Sequence, residues 1–113
     1  MDTHSRKAKG RSLQNLVRDT FRSLFKDFLE DDDILSRPMS SSGTDIILTP
    51  AAKKLIPFDI ECKRQEKLNI HAALKQSQDN TSEGRIALLI FSKNHTETYV
   101  ALKLSDFIKI FYK

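Results

Sequence analysis

The chain has 113 residues, of which 39% are hydrophobic and 30% charged. This is the composition of an ordinary globular domain, and it excludes low-complexity disorder and a collagen-like repeat. Nineteen lysines and arginines against fifteen aspartates and glutamates leave a formal charge of +4, a lean toward a polyanionic partner. A single cysteine, Cys62, excludes an internal disulfide framework and fits a reducing compartment. No apolar run approaches the roughly 18 residues of a membrane span. The polar start Met1–Arg11 lacks the apolar stretch of a secretion signal, so a cytoplasmic, intracellular protein is expected.

Residues 1–11 read as a basic tail, with Arg6, Lys7, Lys9 and Arg11 against Asp2 alone. Residues 12–113 read as one domain with one modest core. From Ser12 to Leu29 the apolar residues Leu13, Leu16, Val17, Phe21, Leu24, Phe25, Phe28 and Leu29 fall on one arc of a helical wheel, predicting an amphipathic helix. Gly10 supplies a flexible approach and Ser12 an N-cap. Gln14 is a polar intruder in the apolar arc.

Asp31 to Gly43 reads as a loop or short extended segment. Thr44–Thr49 and Leu55–Lys63 are extended runs joined by Pro50–Lys54, and a long-loop hairpin is the natural reading. Asn69 caps a second helix, Ile70–Gln78, and a turn follows at Asn80–Gly84. Ile86–Phe91 is apolar throughout, as in a central strand covered on both faces. Glu97–Leu104 alternates, with Val100, Leu102 and Leu104 expected inward, nearer a sheet edge. Ser105 caps a short last helix, Asp106–Tyr112. The expected order is α-β-β-β-α-β-β-α, an α/β sandwich with helices flanking one mixed central sheet.

Asp45 opens one strand, and Glu61 and Lys63 close the next. Alternation puts Glu61 and Lys63 on one face and Cys62 on the other. A hairpin register setting Asp45 beside Glu61 converges two carboxylates and one ammonium. Two carboxylates with open positions suit Mg²⁺, a hard cation that keeps several waters. A lysine beside them can orient an attacking water or stabilise charge developing on phosphorus. The E-x-K triplet alone is weak, since exposed strand faces often alternate in charge. Its context, with a helix before, Ser-Ser-Ser-Gly-Thr-Asp45 at a strand start and a helix after, carries more.

The blocks Ser42-Gly43-Thr44-Asp45-Ile46-Ile47 and Ile60-Glu61-Cys62-Lys63 resemble the PD-(D/E)xK, or restriction-endonuclease-like, nuclease superfamily. They look closest to small archaeal-type Holliday junction resolvases and related phage endonucleases. Lys9-Gly10-Arg11-Ser12-Leu13-Gln14 is similar to the basic, glycine-containing approach to their first helix. The resemblance covers residues 9–104. It implies that Asp45 and Glu61 ligate Mg²⁺, with Mn²⁺ able to substitute, and that Lys63 assists the attacking water. Resolvases usually carry a glutamate where this chain has Gln14, whose amide oxygen can approach a metal but brings no charge. Gln76 stands where several of these nucleases present a glutamine to the site, or it is a solvent-facing residue. Ser41 and Ser42 resemble a serine-glycine loop that reaches phosphate, or form a plain polar loop.

The resulting expectation is a Mg²⁺-dependent DNA endonuclease, plausibly selective for branched structures. Arg6, Lys7, Lys9, Arg11, Lys53, Lys54, Arg64 and Lys67 would hold backbone phosphates without reading sequence. The alternative is a non-catalytic nucleic-acid-binding module on a decayed nuclease fold. A homodimer is expected from the apolar last helix, whose Phe107, Ile108, Ile110, Phe111 and Tyr112 cover more of the wheel than one core-facing side needs. The triplet Asp31-Asp32-Asp33 lacks a calcium-loop pattern, and the three histidines lack zinc spacing.

Overall fold

The computed structural model describes residues 3–112; Met1 and Asp2 of the expected tail and Lys113 of the expected domain lie outside them. The fold is mixed α/β. Helix α1 runs Thr3–Leu24, and a 3₁₀ turn at Asp31–Asp33 leads into strand β1, Ile34–Ser36. Strand β2, Ile46–Leu48, is followed by helix α2, Pro50–Leu55, and strand β3, Phe58–Arg64. Helix α3, Ile70–Asp79, precedes strand β4, Ile86–Ser92, strand β5, Tyr99–Ala101, and helix α4, Leu104–Lys109. No helix among the described residues is long and apolar enough to cross a membrane.

The first helix is displaced from its expected span. It begins at Thr3, so the stretch expected as a tail is helical from there, and Ser12 lies inside the helix rather than at its cap. Arginine, lysine and alanine are good helix formers, and they outweigh the single Gly10. That glycine is a packing position: a Cβ there would sit 3.1 Å from the Met39 methyl group. The helix ends at Leu24, and Phe25–Leu29 turn back through the bonds from Phe28 N and Leu29 N to Phe25 O. Leu13 and Val17 are buried against the core, whereas Leu16, Leu24 and Phe28 of the expected stripe are exposed, so only part of that arc faces inward. Phe21, Phe25 and Leu29 pack at its margin.

The single mixed sheet divides into two. Strands β1 and β2 pair antiparallel, with Ile34 opposite Leu48, whereas β3, β4 and β5 form a separate sheet in that order. Strands β3 and β4 are parallel, and β5 runs antiparallel on the outer edge of β4. The hairpin expected between β2 and β3 is absent because its loop is a helix. The Thr49 hydroxyl accepts from Ala52 N, Pro50 occupies the first turn, and the alanines and lysines continue it. Thr49 also donates to Asp33 Oδ1 at 2.6 Å, which ties this cap to the turn before β1.

Strand β4 is the central strand, with Ile86–Ile90 buried, as its apolar run predicts. Asn69 caps α3 through Ala72 N, also as expected. The last strand and helix differ from expectation. Val100 and Leu104 are exposed rather than inward, and Leu102 alone of the three packs against the core. Helix α4 starts at Leu104 after Lys103, which makes no side-chain cap bond, so Ser105 is not the cap.

One core joins the two sheets to α1 and α2: Leu13 and Val17, Ile34, Ile46, Ala52, Ile56, Ile60, Leu88 and Ile90. Burying each large aliphatic side chain contributes roughly 1.5–3 kcal/mol. At the margin of this core lies an ion pair the sequence did not advertise. Arg85 Nε donates to Asp59 Oδ1 at 2.7 Å, and its Nη2 donates to Ile56 O and Phe58 O at 2.7 and 2.8 Å. The Ser82 amide donates to the other Asp59 oxygen at 2.9 Å. This clamp fixes the start of β3, the strand that carries Glu61 and Lys63.

Candidate active site

Asp45 precedes β2 by one residue and reaches β3 without being its ladder partner. Its amide donates to Ile60 O at 3.1 Å, and its Oδ2 accepts from Cys62 N at 2.7 Å. Glu61 lies between those two contacts on the free edge of β3. A side-chain carboxylate thus takes the place a neighbouring strand's carbonyl would occupy. The bracket brings Asp45 and Glu61 together, as a hairpin register would have done by a different route.

The approach of Asp45 is built by the loop before it. The Asp45 carbonyl accepts from Arg37 N at 2.8 Å and from Gln14 Nε2 at 3.2 Å. Arg37 Nε donates to Thr44 O. Gly43, at φ +121°, is the residue this closure requires. The conformation disfavours any side chain, and a Cβ would lie 2.6–2.9 Å from the Arg37 guanidinium.

The electrostatics follow from this crowding. Burial pushes the Glu61 carboxyl up to about 7, reinforced by the charge of Asp45 and a side-chain hydrogen bond with it. Lys63 and Arg37 oppose the rise. Glu61 therefore keeps its proton to a higher pH than an ordinary carboxyl does. Cys62, half-buried against the core on the other face of the strand, has its thiol held well above its ordinary value by burial and by the nearby charges of Asp45 and Glu61, which disfavours a thiolate nucleophile.

Gln14 is 4% exposed, and its Oε1 has no hydrogen-bond partner. A carbonyl only accepts, so Asp45 O must face the amide NH₂, which leaves Oε1 free on the other side. Two crowded carboxyls that resist ionising together, near an amide oxygen without a partner, fit a hard divalent cation that takes oxygen ligands and retains water. Among the described residues no group of three or more His, Cys, Asp and Glu side chains is arranged to hold a metal. Protein ligation would therefore come from Asp45 and Glu61, with backbone carbonyls and water completing the shell.

Beyond Lys63 a cleft of about 680 Å³ opens between the first turns of α1 and the end of β3. Five cations line it: Arg6, Lys9, Lys63, Arg64 and Lys67. Its one acid, Glu66, accepts from Asn94 N at 2.7 Å, and Lys9 Nζ donates to Asn94 Oδ1 at 2.9 Å. Arg64 Nε is buried without a partner, a donor facing no protein acceptor. The other expected phosphate contacts lie elsewhere. Lys7 and Arg11 are exposed on α1, Lys53 and Lys54 on α2, and Ser41 and Ser42 on the Pro38–Gly43 loop. Gln76 is exposed on α3.

Arg37 is the site residue that sequence reasoning missed. It lies in the Asp31–Gly43 segment, where the one hint of its role is the glycine six residues later that lets its guanidinium fold against the chain. Asn94 was missed as well, because nothing local marks a turn residue that meets a helix 85 positions away. No protein-family model, curated protein or solved structure matches this chain.

Proposed function

We propose that the chain is a Mg²⁺-dependent endonuclease that hydrolyses DNA phosphodiesters, on a fold of the restriction-endonuclease-like kind. The observation that carries this reading is the bracket on β3: Asp45 held across Glu61, with Lys63 next on the same face and a five-cation cleft beyond. Asp45 and Glu61 would hold the cation, which when bound polarises the phosphodiester and acidifies a coordinated water. Lys63 orients the attacking water and neutralises charge on the non-bridging oxygens. Arg37 adds a second cation on the Asp45 side. Arg6, Lys9, Arg64 and Lys67 hold flanking phosphates. In the reaction a water oxygen bonds to phosphorus and the bond to one bridging oxygen breaks, with that oxygen leaving protonated.

Selectivity for branched DNA rests on the resemblance to resolvases and on assembly as a dimer. Phe111 and Tyr112 are 70% and 76% exposed beside Leu104 at 75%, an apolar surface of the kind a two-fold partner covers. A second reading, a binding module without catalysis, draws support from Gln14, which is neutral where resolvases carry a glutamate.

Supercoiled plasmid and a four-way junction, each incubated with protein in Mg²⁺, Mn²⁺, Ca²⁺ or EDTA, test these readings together. Cutting in Mg²⁺ and Mn²⁺, with binding but little turnover in Ca²⁺, is expected. Binding without cutting under every condition supports the module instead. Neither binding nor cutting removes both.

A further inference from the structure

The register of the three-stranded sheet places Lys63, Phe91 and Tyr99 in one row, since Lys63 pairs with Phe91 and Phe91 with Tyr99. Register partners present their side chains on one face, and neighbouring strands lie about 4.8 Å apart. Tyr99 is thus about 10 Å across the sheet from the lysine of the candidate active site. The Phe91 and Tyr99 rings touch, with centroids 5.9 Å apart and planes inclined at 33°. Tyr99 is nevertheless 54% exposed, on a three-residue edge strand.

Beside the pair lies a groove of about 280 Å³ whose apolar walls include Leu68 and Ile70 as well as the two rings. It shares Gln65 and Glu66 with the five-cation cleft, so the two depressions are contiguous. An apolar, aromatic slot opening directly off a basic cleft matches a ligand that is flat and apolar on its faces and anionic along its backbone. A nucleic-acid strand is such a ligand once a base is out of its stack.

We propose that the Phe91–Tyr99 groove stacks one unpaired nucleobase of the strand whose phosphates lie in the basic cleft. This rests on the nucleic-acid reading above and adds the substrate feature it recognises, an unstacked nucleotide close to the phosphate at Lys63. A continuous duplex keeps its bases paired and offers none to the slot. Single strands, junction centres and mispaired ends do offer one.

The test uses the full chain in EDTA, which separates binding from cleavage. The probes are a single-stranded oligonucleotide carrying 2-aminopurine at successive positions and a blunt duplex of the same length. Wild-type protein is expected to quench 2-aminopurine in the single strand at one or two positions. Tyr99→Ala should abolish that quench and weaken single-strand binding about tenfold, near the lower end for one stacked base. Duplex affinity and the salt slope of single-strand binding should stay unchanged, because the phosphate contacts remain. Tyr99→Phe should behave as wild type.

Equal single-strand affinity and quench in Tyr99→Ala overturns the inference and leaves the nucleic-acid reading standing. Equal loss for single strand and duplex also overturns it, since stacking would spare the duplex. Wild-type protein that binds neither probe overturns both readings.

Discussion

Replacing Glu61 by glutamine should make the metal-free protein more stable, by an amount that grows as pH rises from about 4.5 to about 7 and is constant above. Glutamine copies the protonated carboxyl in shape, and its NH₂ can donate to Asp45 as the protonated acid does. In the fold the Glu61 proton is lost near pH 7, against an ordinary value of 4.5 in the unfolded chain. Between those values the folded state binds more protons than the unfolded one, so wild-type stability falls as pH rises from about 4.5 to about 7 and is flat above. At about 1.4 kcal/mol per pH unit the full span is about 3 kcal/mol, and residual solvent around Glu61 reduces this to about 2. For a domain of this size that is a rise of about 5–10 °C in Tm for Glu61→Gln at pH 8, against almost none at pH 4.5. Thermal unfolding by circular dichroism in EDTA at the two pH values reads the difference directly. Adding Mg²⁺ at pH 8 should raise Tm in the wild type and much less in the variant, because only the former has the second charge to bind it. A variant no more stable than wild type at pH 8, or equally stabilised at both pH values, would show that Asp45 and Glu61 are not crowded as described.

Lys63→Ala should lower the cleavage rate at least about a hundredfold while leaving the circular dichroism spectrum and DNA affinity near wild type, since it removes charge stabilisation at the reacting phosphate; a wild-type rate in folded protein refutes the assignment. Gly43→Ala should cost about 1–3 kcal/mol, because the backbone at φ +121° and the Arg37 guanidinium both reject a Cβ, and urea unfolding of that variant gives the number. Arg85→Ala should destabilise by about 3–5 kcal/mol, as it strands the buried Asp59 carboxylate. Burial tends to raise Asp59, but its bonds from Ser82 and Arg85 hold it below its ordinary value of 3.8, so the stability it contributes is present above that pH and is lost on further acidification; a wild type as acid-sensitive as Arg85→Ala would contradict the clamp. Phe111→Glu should convert a dimer to a monomer in sedimentation equilibrium at micromolar concentration, and a wild-type mass of 13.0 kDa throughout removes the dimer.

What could be read from sequence is what short-range chemistry decides. The stripe of Leu13, Val17 and Phe21 needs only the helical repeat, the run Ile86–Ile90 only its unbroken apolarity, and the Asn69 cap only a side chain that reaches an amide three residues on. The cap at Thr49-Pro50 is equally local, yet a six-residue helix carries too little periodicity to stand out between two extended runs. Sequence likewise brought Asp45, Glu61 and Lys63 forward as a group, since strand alternation and residue type suffice to nominate them. Tertiary structure decided how they meet. The division into two sheets, the bond from Cys62 N to the Asp45 carboxylate, the folding of Arg37 over Gly43 and the Asp59–Arg85 clamp all join segments 6 to 26 residues apart. The row Lys63–Phe91–Tyr99 spans three strands. No periodicity encodes such contacts. They are fixed by which buried surfaces fit together and which buried polar groups must find a partner, and those conditions exist only once the chain has closed on itself.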